Sequence, residues 1–71
     1  MYNGHKNWSH WNVALWVCND EGLYRLACTA IRYAGTLDEA AHELLVMLPE
    51  KTPDGAVYSF SSVRAALRDW R

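Results

Sequence analysis

The spacing of apolar residues constrains this chain most, because over long stretches it follows the three- and four-residue repeat of an α-helix. One such stretch places six apolar residues on a single helical face: Leu23, Leu26, Ala27, Ala30, Ile31 and Ala34. The next stretch does the same with Leu37, Ala40, Ala41, Leu44, Leu45 and Leu48. Stripes of this kind are typical of amphipathic helices that bury one side against a neighbour. The pattern therefore predicts two consecutive helices that pack through these stripes.

Start and stop signals flank the two stripes. Asp20 or Asn19 can cap the first helix, because a short polar side chain accepts a hydrogen bond from a free backbone N–H. Gly35 fits the left-handed position that commonly ends a helix. The second helix then starts with a capping box, in which the Thr36 hydroxyl and the Glu39 carboxylate each accept a backbone N–H. Each predicted helix thus has a defined beginning.

A third apolar segment comes earlier and predicts a helix from about Ser9 to Cys18, with Ser9 as its N-cap. Its apolar residues lie on several sides of the helix: Trp8, Trp11, Val13, Leu15, Trp16, Val17 and Cys18. A helix that is apolar nearly all round is typical of the centre of a fold. A buried strand over residues 13–17 is the competing interpretation, which Asn12 and the helical period disfavour.

The last part of the chain predicts a loop and a fourth helix. Pro49 ends the preceding helix, and residues 49–58 form a loop around the turn Thr52-Pro53-Asp54-Gly55. Ser59 or Ser61 then caps a final helix. Its apolar face carries Val63, Ala66, Leu67 and Trp70. The predicted fold is all-α: a compact single-domain bundle of three to four short helices over residues 1–71, with residues 1–8 as an N-terminal arm.

Composition limits what such a domain can do. With seven Lys and Arg against eight Asp and Glu, the net charge is −1, so the large basic excess of general nucleic-acid binders is missing. No run of about 18 apolar residues predicts a membrane span, and the polar first ten residues do not resemble a secretory signal. A cytoplasmic protein is therefore expected. Because 71 residues enclose little core, we expect docking or homo-oligomerisation to cover part of the apolar surface.

Residues that could carry chemistry are sparse. His5 and His10 lack the four-residue spacing of a helical metal pair, and two cysteines cannot make a four-thiolate zinc site. Cys28 with His42 is formally a nucleophile and a base, but no local motif supports that pairing. We therefore expect a protein that is not an enzyme and that uses no metal or cofactor.

Two charged rows are the candidate partner-binding residues. Arg64, Arg68 and Arg71 form a cationic stripe beside the apolar face of the last helix. Arginine suits both phosphates and carboxylates, so this row fits a nucleic acid or an acidic protein. The competing interpretation is a solvated flank whose charges favour the C-terminal end of the helix. The rival candidate is an acidic row on the solvent side of the third helix: Asp38, Glu39 and Glu43.

Three motifs in a fixed order open the chain. They are Tyr2-Asn3-Gly4, Trp11-Asn12-Val13-Ala14-Leu15-Trp16 and Asn19-Asp20-Glu21-Gly22-Leu23-Tyr24. Together they resemble an uncharacterised family of short proteins encoded by phages, plasmids and other mobile elements. The match spans about residues 2–27, and the turn at residues 52–55 is similar too.

The resemblance carries no catalytic residues over to this chain. It implies a non-enzymatic accessory protein that binds a host protein or defence complex and inhibits or modulates it, most specifically an anti-defence inhibitor of the anti-CRISPR type. The alternative is a small DNA- or RNA-binding regulator that uses the arginine stripe.

Overall fold

Four helices make up the computed structural model, which describes residues 7–68. They are α1 (Trp8–Asn19), α2 (Glu21–Tyr33), α3 (Leu37–Met47) and α4 (Phe60–Arg68). α1 packs against α2 and α4, and α3 packs against the same two helices, so the four helices close into a ring. The predicted all-α bundle is confirmed.

The core is built from small and medium-sized side chains. The predicted stripes of α2 and α3 point inward, with alanines fully buried on both helices: Ala27, Ala30, Ala40 and Ala41. Alanine at a contact allows two helix backbones to approach closely. Larger apolar residues fill the centre: Val13, Val17, Leu44, Val63 and Leu67.

Helix α1 begins earlier than predicted. Asn7, not Ser9, is its N-cap, and the Asn7 side chain accepts a 3.0 Å hydrogen bond from the backbone N–H of His10. Asparagine is at least as good an N-cap as serine, so the local preference is satisfied either way. Residue 8 of the predicted arm is therefore helical, whereas residues 1–6 lie outside the described part of the chain.

The other helix starts agree with the capping predictions. The Asp20 side chain accepts from the N–H of Leu23, and the Thr36 hydroxyl accepts from the N–H of Glu39. Ser59 caps α4 with a reciprocal pair of hydrogen bonds. The Ser59 hydroxyl accepts from the N–H of Ser62, and the Ser62 hydroxyl accepts from the N–H of Ser59. α3 ends at Met47, as Pro49 predicts.

The prediction for Gly35 is wrong. α2 ends at Tyr33, its C-cap Ala34 is extended (φ −83°), and among the glycines of residues 7–68 only Gly55 has a positive φ. A Cβ added at position 35 would lie 3.1 Å from Oε1 of Glu39, at the end of an exposed side chain that would have to shift slightly. That carboxylate accepts the N–H of Gly35, one residue before the N–H that a standard capping box uses.

The loop between α3 and α4 folds into a small hairpin. Its turn closes as predicted, with the N–H of Gly55 donating to the carbonyl of Thr52 and Gly55 at φ 98°. Lys51 and Val57 form an antiparallel bridge, and buried Tyr58 anchors the second arm of the hairpin. This hairpin brings the turn against α1.

Candidate functional site

A polar network joins α1 to the turn at residues 52–55. We call it the Asn12 network, and its members are Asn12, Trp16, Thr52 and Asp54. The Asn12 amide donates to Oδ2 of Asp54 at 2.9 Å, and its oxygen accepts from the Thr52 hydroxyl at 2.7 Å. The Trp16 indole N–H donates to the same Asp54 oxygen at 2.9 Å. In the sequence, Asn12 and Trp16 belong to the second motif and Thr52 and Asp54 to the predicted turn, and no local pattern relates the two.

The Asn12 network fixes how α1 is rotated in the bundle. Asn12 and Thr52 are 1% and 4% exposed, so their polar groups need partners inside the protein. The Thr52 hydroxyl also accepts the N–H of Ala56, which couples the network to the hairpin. Within residues 7–68, no buried side-chain nitrogen or oxygen lacks a hydrogen-bond partner. A rotation of α1 would break these bonds, so the helix has one preferred orientation.

Asp54 should make the network sensitive to acid. Hydrogen bonds from Asn12 and then Trp16 hold the pKa of the Asp54 carboxyl below its ordinary value. A lowered pKa gives stability that is present above the ordinary value of about 3.9 and is lost as the pH falls through the folded value. We expect the indole N–H resonance of Trp16 to shift in one transition below about pH 4.

The Asp54→Asn variant tests this expectation. Asparagine still offers an oxygen to both donors but has no charge to titrate, so the Trp16 transition should disappear. Glu43→Gln removes an exposed carboxylate outside the network and should leave the transition in place. A Trp16 transition that persists in the Asp54 variant would contradict the assignment.

The orientation of α1 exposes an uncharged apolar surface. Asn12, Val13, Ala14 and Val17 face the core, which turns the opposite side of the helix to solvent. We call that side the α1 outer face; it comprises Trp8, Trp11, Leu15 and Cys18. Trp8 and Leu15 are 39% and 37% exposed, Cys18 is exposed and Trp11 is half-buried.

The prediction that α1 lies buried in the centre is therefore wrong. The helix has two apolar sides, and only one of them packs against α2 and α4. α1 contains no Asp, Glu, Lys or Arg, although one side of it meets solvent. A helix with such a face is more typical of an interaction surface than of a solvated flank.

The two predicted charged rows meet at the α3–α4 contact. Nε of Arg64 donates to Oδ1 of Asp38, so one member of each row neutralises the other. The Glu39 carboxylate is engaged by the N–H of Gly35. Of the two rows, Glu43 and Arg68 are exposed and take part in no ion pair within residues 7–68. Arg71 lies outside the described residues.

The two histidines of residues 7–68 have different neighbours. Nε2 of His10 lies 3.1 Å from the Ser61 hydroxyl, and the His42 ring stacks on Phe60 with centroids 4.4 Å apart. Both cysteines are free, and partial burial raises the pKa of the Cys18 thiol. Over residues 7–68, no three His, Cys, Asp or Glu side chains come together as a metal site would require. Nor is any helix in that range long and apolar enough to cross a membrane.

Comparison with known proteins places the chain in a family. No curated protein and no solved structure matches the chain. One family model, a family of unknown function named DUF7249, matches residues 1–67. That match includes the Asn12 network, the α1 outer face and all of the hairpin. The chain therefore belongs to this family of unknown function.

Proposed function

We propose that this chain is a non-enzymatic accessory protein that docks on a host protein through the α1 outer face and thereby inhibits or modulates it. The observation that carries the proposal is a surface helix whose solvent side exposes Trp8 and Leu15 and whose sequence lacks Asp, Glu, Lys and Arg. Tryptophan is enriched among the residues that dominate binding energy at protein interfaces.

The chemistry of the α1 outer face favours a protein over a nucleic acid. Polyanion binding relies on Lys and Arg, and α1 has neither. The arginine stripe has less free positive charge for binding a polyanion, because Arg64 is paired with Asp38. The occupant that fits is a host protein with an apolar patch or groove, since the cores of protein interfaces are depleted in charge.

The most specific form of the proposal is an anti-defence inhibitor of the anti-CRISPR type. The motifs of residues 2–27 resemble proteins of phages and other mobile elements, whose short accessory proteins often act by occupying a host protein. A rigid helix with an uncharged aromatic face suits that mode, because blocking a surface requires contact and no reactive group.

A matched pair of charge insertions tests the proposal. Leu15→Glu places a carboxylate in the α1 outer face, whereas Val46→Glu makes the same change at an 86% exposed site on α3. We expect the wild-type chain and the Val46 variant to restore plating of a phage that the host's CRISPR system targets. The Leu15 variant should lose most of this effect, since a disrupted anchor weakens binding by about 30-fold or more.

Circular dichroism shows whether both variants remain folded, which their exposed positions lead us to expect. Equal restoration of phage plating by the Leu15 and Val46 variants would show that the α1 outer face does not bind the host protein. No effect of the wild-type chain on phage plating would contradict the anti-CRISPR form of the proposal. Salt-sensitive binding to oligonucleotides that is lost in an Arg64→Ala/Arg68→Ala variant would favour the DNA- or RNA-binding alternative.

A further inference from the structure

A groove opens where the C-terminal ends of α2 and α4 meet the start of α3. Its volume is about 300 Å³, at the lower end of the range for small-molecule sites. The apolar lining is formed by Ile31, Ala34, Leu37, Ala40 and Leu67. No residue of α1 lines this groove, so it is distinct from the α1 outer face.

One side of the groove rim carries a cationic side chain, Arg68. Arg68 is the one lining residue with an ionisable side chain, and no ion pair within residues 7–68 engages it. The lining also includes Thr36 and Leu37, at the N-terminus of α3, where the helix dipole favours negative charge. The apolar lining and the cationic side chain at the rim are separate observations that point to one kind of ligand.

We propose that this groove binds a small monocarboxylate with a branched apolar body. The body packs between Ile31 and Leu67, and the carboxylate lies at the rim between Arg68 and the first turn of α3. A bidentate guanidinium–carboxylate pair is among the stronger charged hydrogen bonds.

A single negative charge fits this rim better than two. The Glu39 carboxylate is held at the same turn by the N–H of Gly35, a residue that also lines the groove. Its negative charge disfavours a phosphate dianion more strongly than a monocarboxylate, whose single charge Arg68 can offset. Asp38 and Arg64 neutralise each other nearby and add no net charge.

The test is a titration of the ¹⁵N-labelled protein with 4-methylpentanoate, followed by amide chemical shifts. We expect saturable shifts at Gly35, Leu37 and Leu67, with a Kd on the order of 1 mM for so few ligand atoms. The matching amide, 4-methylpentanamide, has the same body without the charge, and acetate has the charge without the body. Each should bind about tenfold more weakly.

Three variants separate the parts of the site. Arg68→Gln should weaken binding of the acid about tenfold, whereas Arg25→Gln, at an arginine that does not line the groove, should leave it unchanged. Ala34→Leu should fill the groove and reduce binding of the acid. If that variant fails to fold, the Arg68 comparison still decides.

Equal affinity for acid and amide, or an unchanged Kd in Arg68→Gln, would overturn the proposal, as would the absence of saturable shifts. A peptide with a free C-terminal leucine offers the same chemistry as the small acid. Tighter binding of acetyl-Gly-Leu than of 4-methylpentanoate would identify a chain end as the natural source of the carboxylate, and the reverse order would identify a free acid.

Discussion

Replacing Leu44 by alanine is expected to cost about 3 kcal/mol of unfolding free energy, because the side chain is fully buried at the centre of the bundle. For a domain of 71 residues, total stability is on the order of 4–10 kcal/mol, so this loss is a large fraction of it. Urea denaturation followed by circular dichroism measures the change.

The matched control for Leu44 is Val46→Ala on the same helix. Val46 is 86% exposed, and its truncation should change stability by less than about 0.5 kcal/mol. Similar losses for the two variants would mean that α3 packs through a different face from the one described.

Replacing Asn12 by alanine should have an effect of similar size for a different reason. The Thr52 hydroxyl would lose its acceptor in a buried site, and Asp54 would lose one of its two side-chain donors. Leaving a buried polar group without a partner, together with the lost bonds, should cost about 2–3 kcal/mol. The Trp16 indole resonance should broaden or shift, since its Asp54 partner is no longer fixed.

Asn19→Ala provides the control for Asn12, because Asn19 lies on the same helix but is exposed and bonds only locally, to the carbonyl of Leu15. Its removal should change stability by less than about 0.5 kcal/mol. If the Asn12 variant is as stable as this control, the network does not hold α1 in place.

Local chemistry explains why most of the fold could be predicted. α2 and α3 have one apolar stripe each, so the face that the sequence period predicts is the face that is buried. Alanines such as Ala30 and Ala41 are buried as expected. The capping residues Asp20, Thr36 and Ser59 act on N–H groups three residues away, within reach of a local pattern.

The orientation of α1 could not be predicted in this way. A helix with apolar residues on two sides gives no period that selects the inner one. The inner side of α1 is determined by the hydrogen bonds of Asn12. Its partners Thr52 and Asp54 lie 40 and 42 residues further along the chain. A lone asparagine in an apolar segment was the available signal, and it indicates a buried polar contact without naming the partner.

The charged candidates show the same limit. The spacing of Arg64 and Arg68 predicts a stripe on α4, and Asp38 is predicted at the start of α3. The pairing of Arg64 with Asp38 depends on how α3 and α4 pack, which neither helix encodes alone. Whether the remaining charges bind a partner stays a prediction.

Site-specific photo-cross-linking in host cells tests the central claim most directly. A photoreactive amino acid is placed at Leu15 in the α1 outer face and, in a second chain, at Val46 on α3. We predict one discrete adduct with a host protein from position 15 and none from position 46, with competition by the untagged wild-type chain but not by Leu15→Glu. An adduct from neither position, or the same adduct from both, would contradict the account. An adduct with a second copy of the chain would show that the α1 outer face mediates self-association and does not bind a host protein.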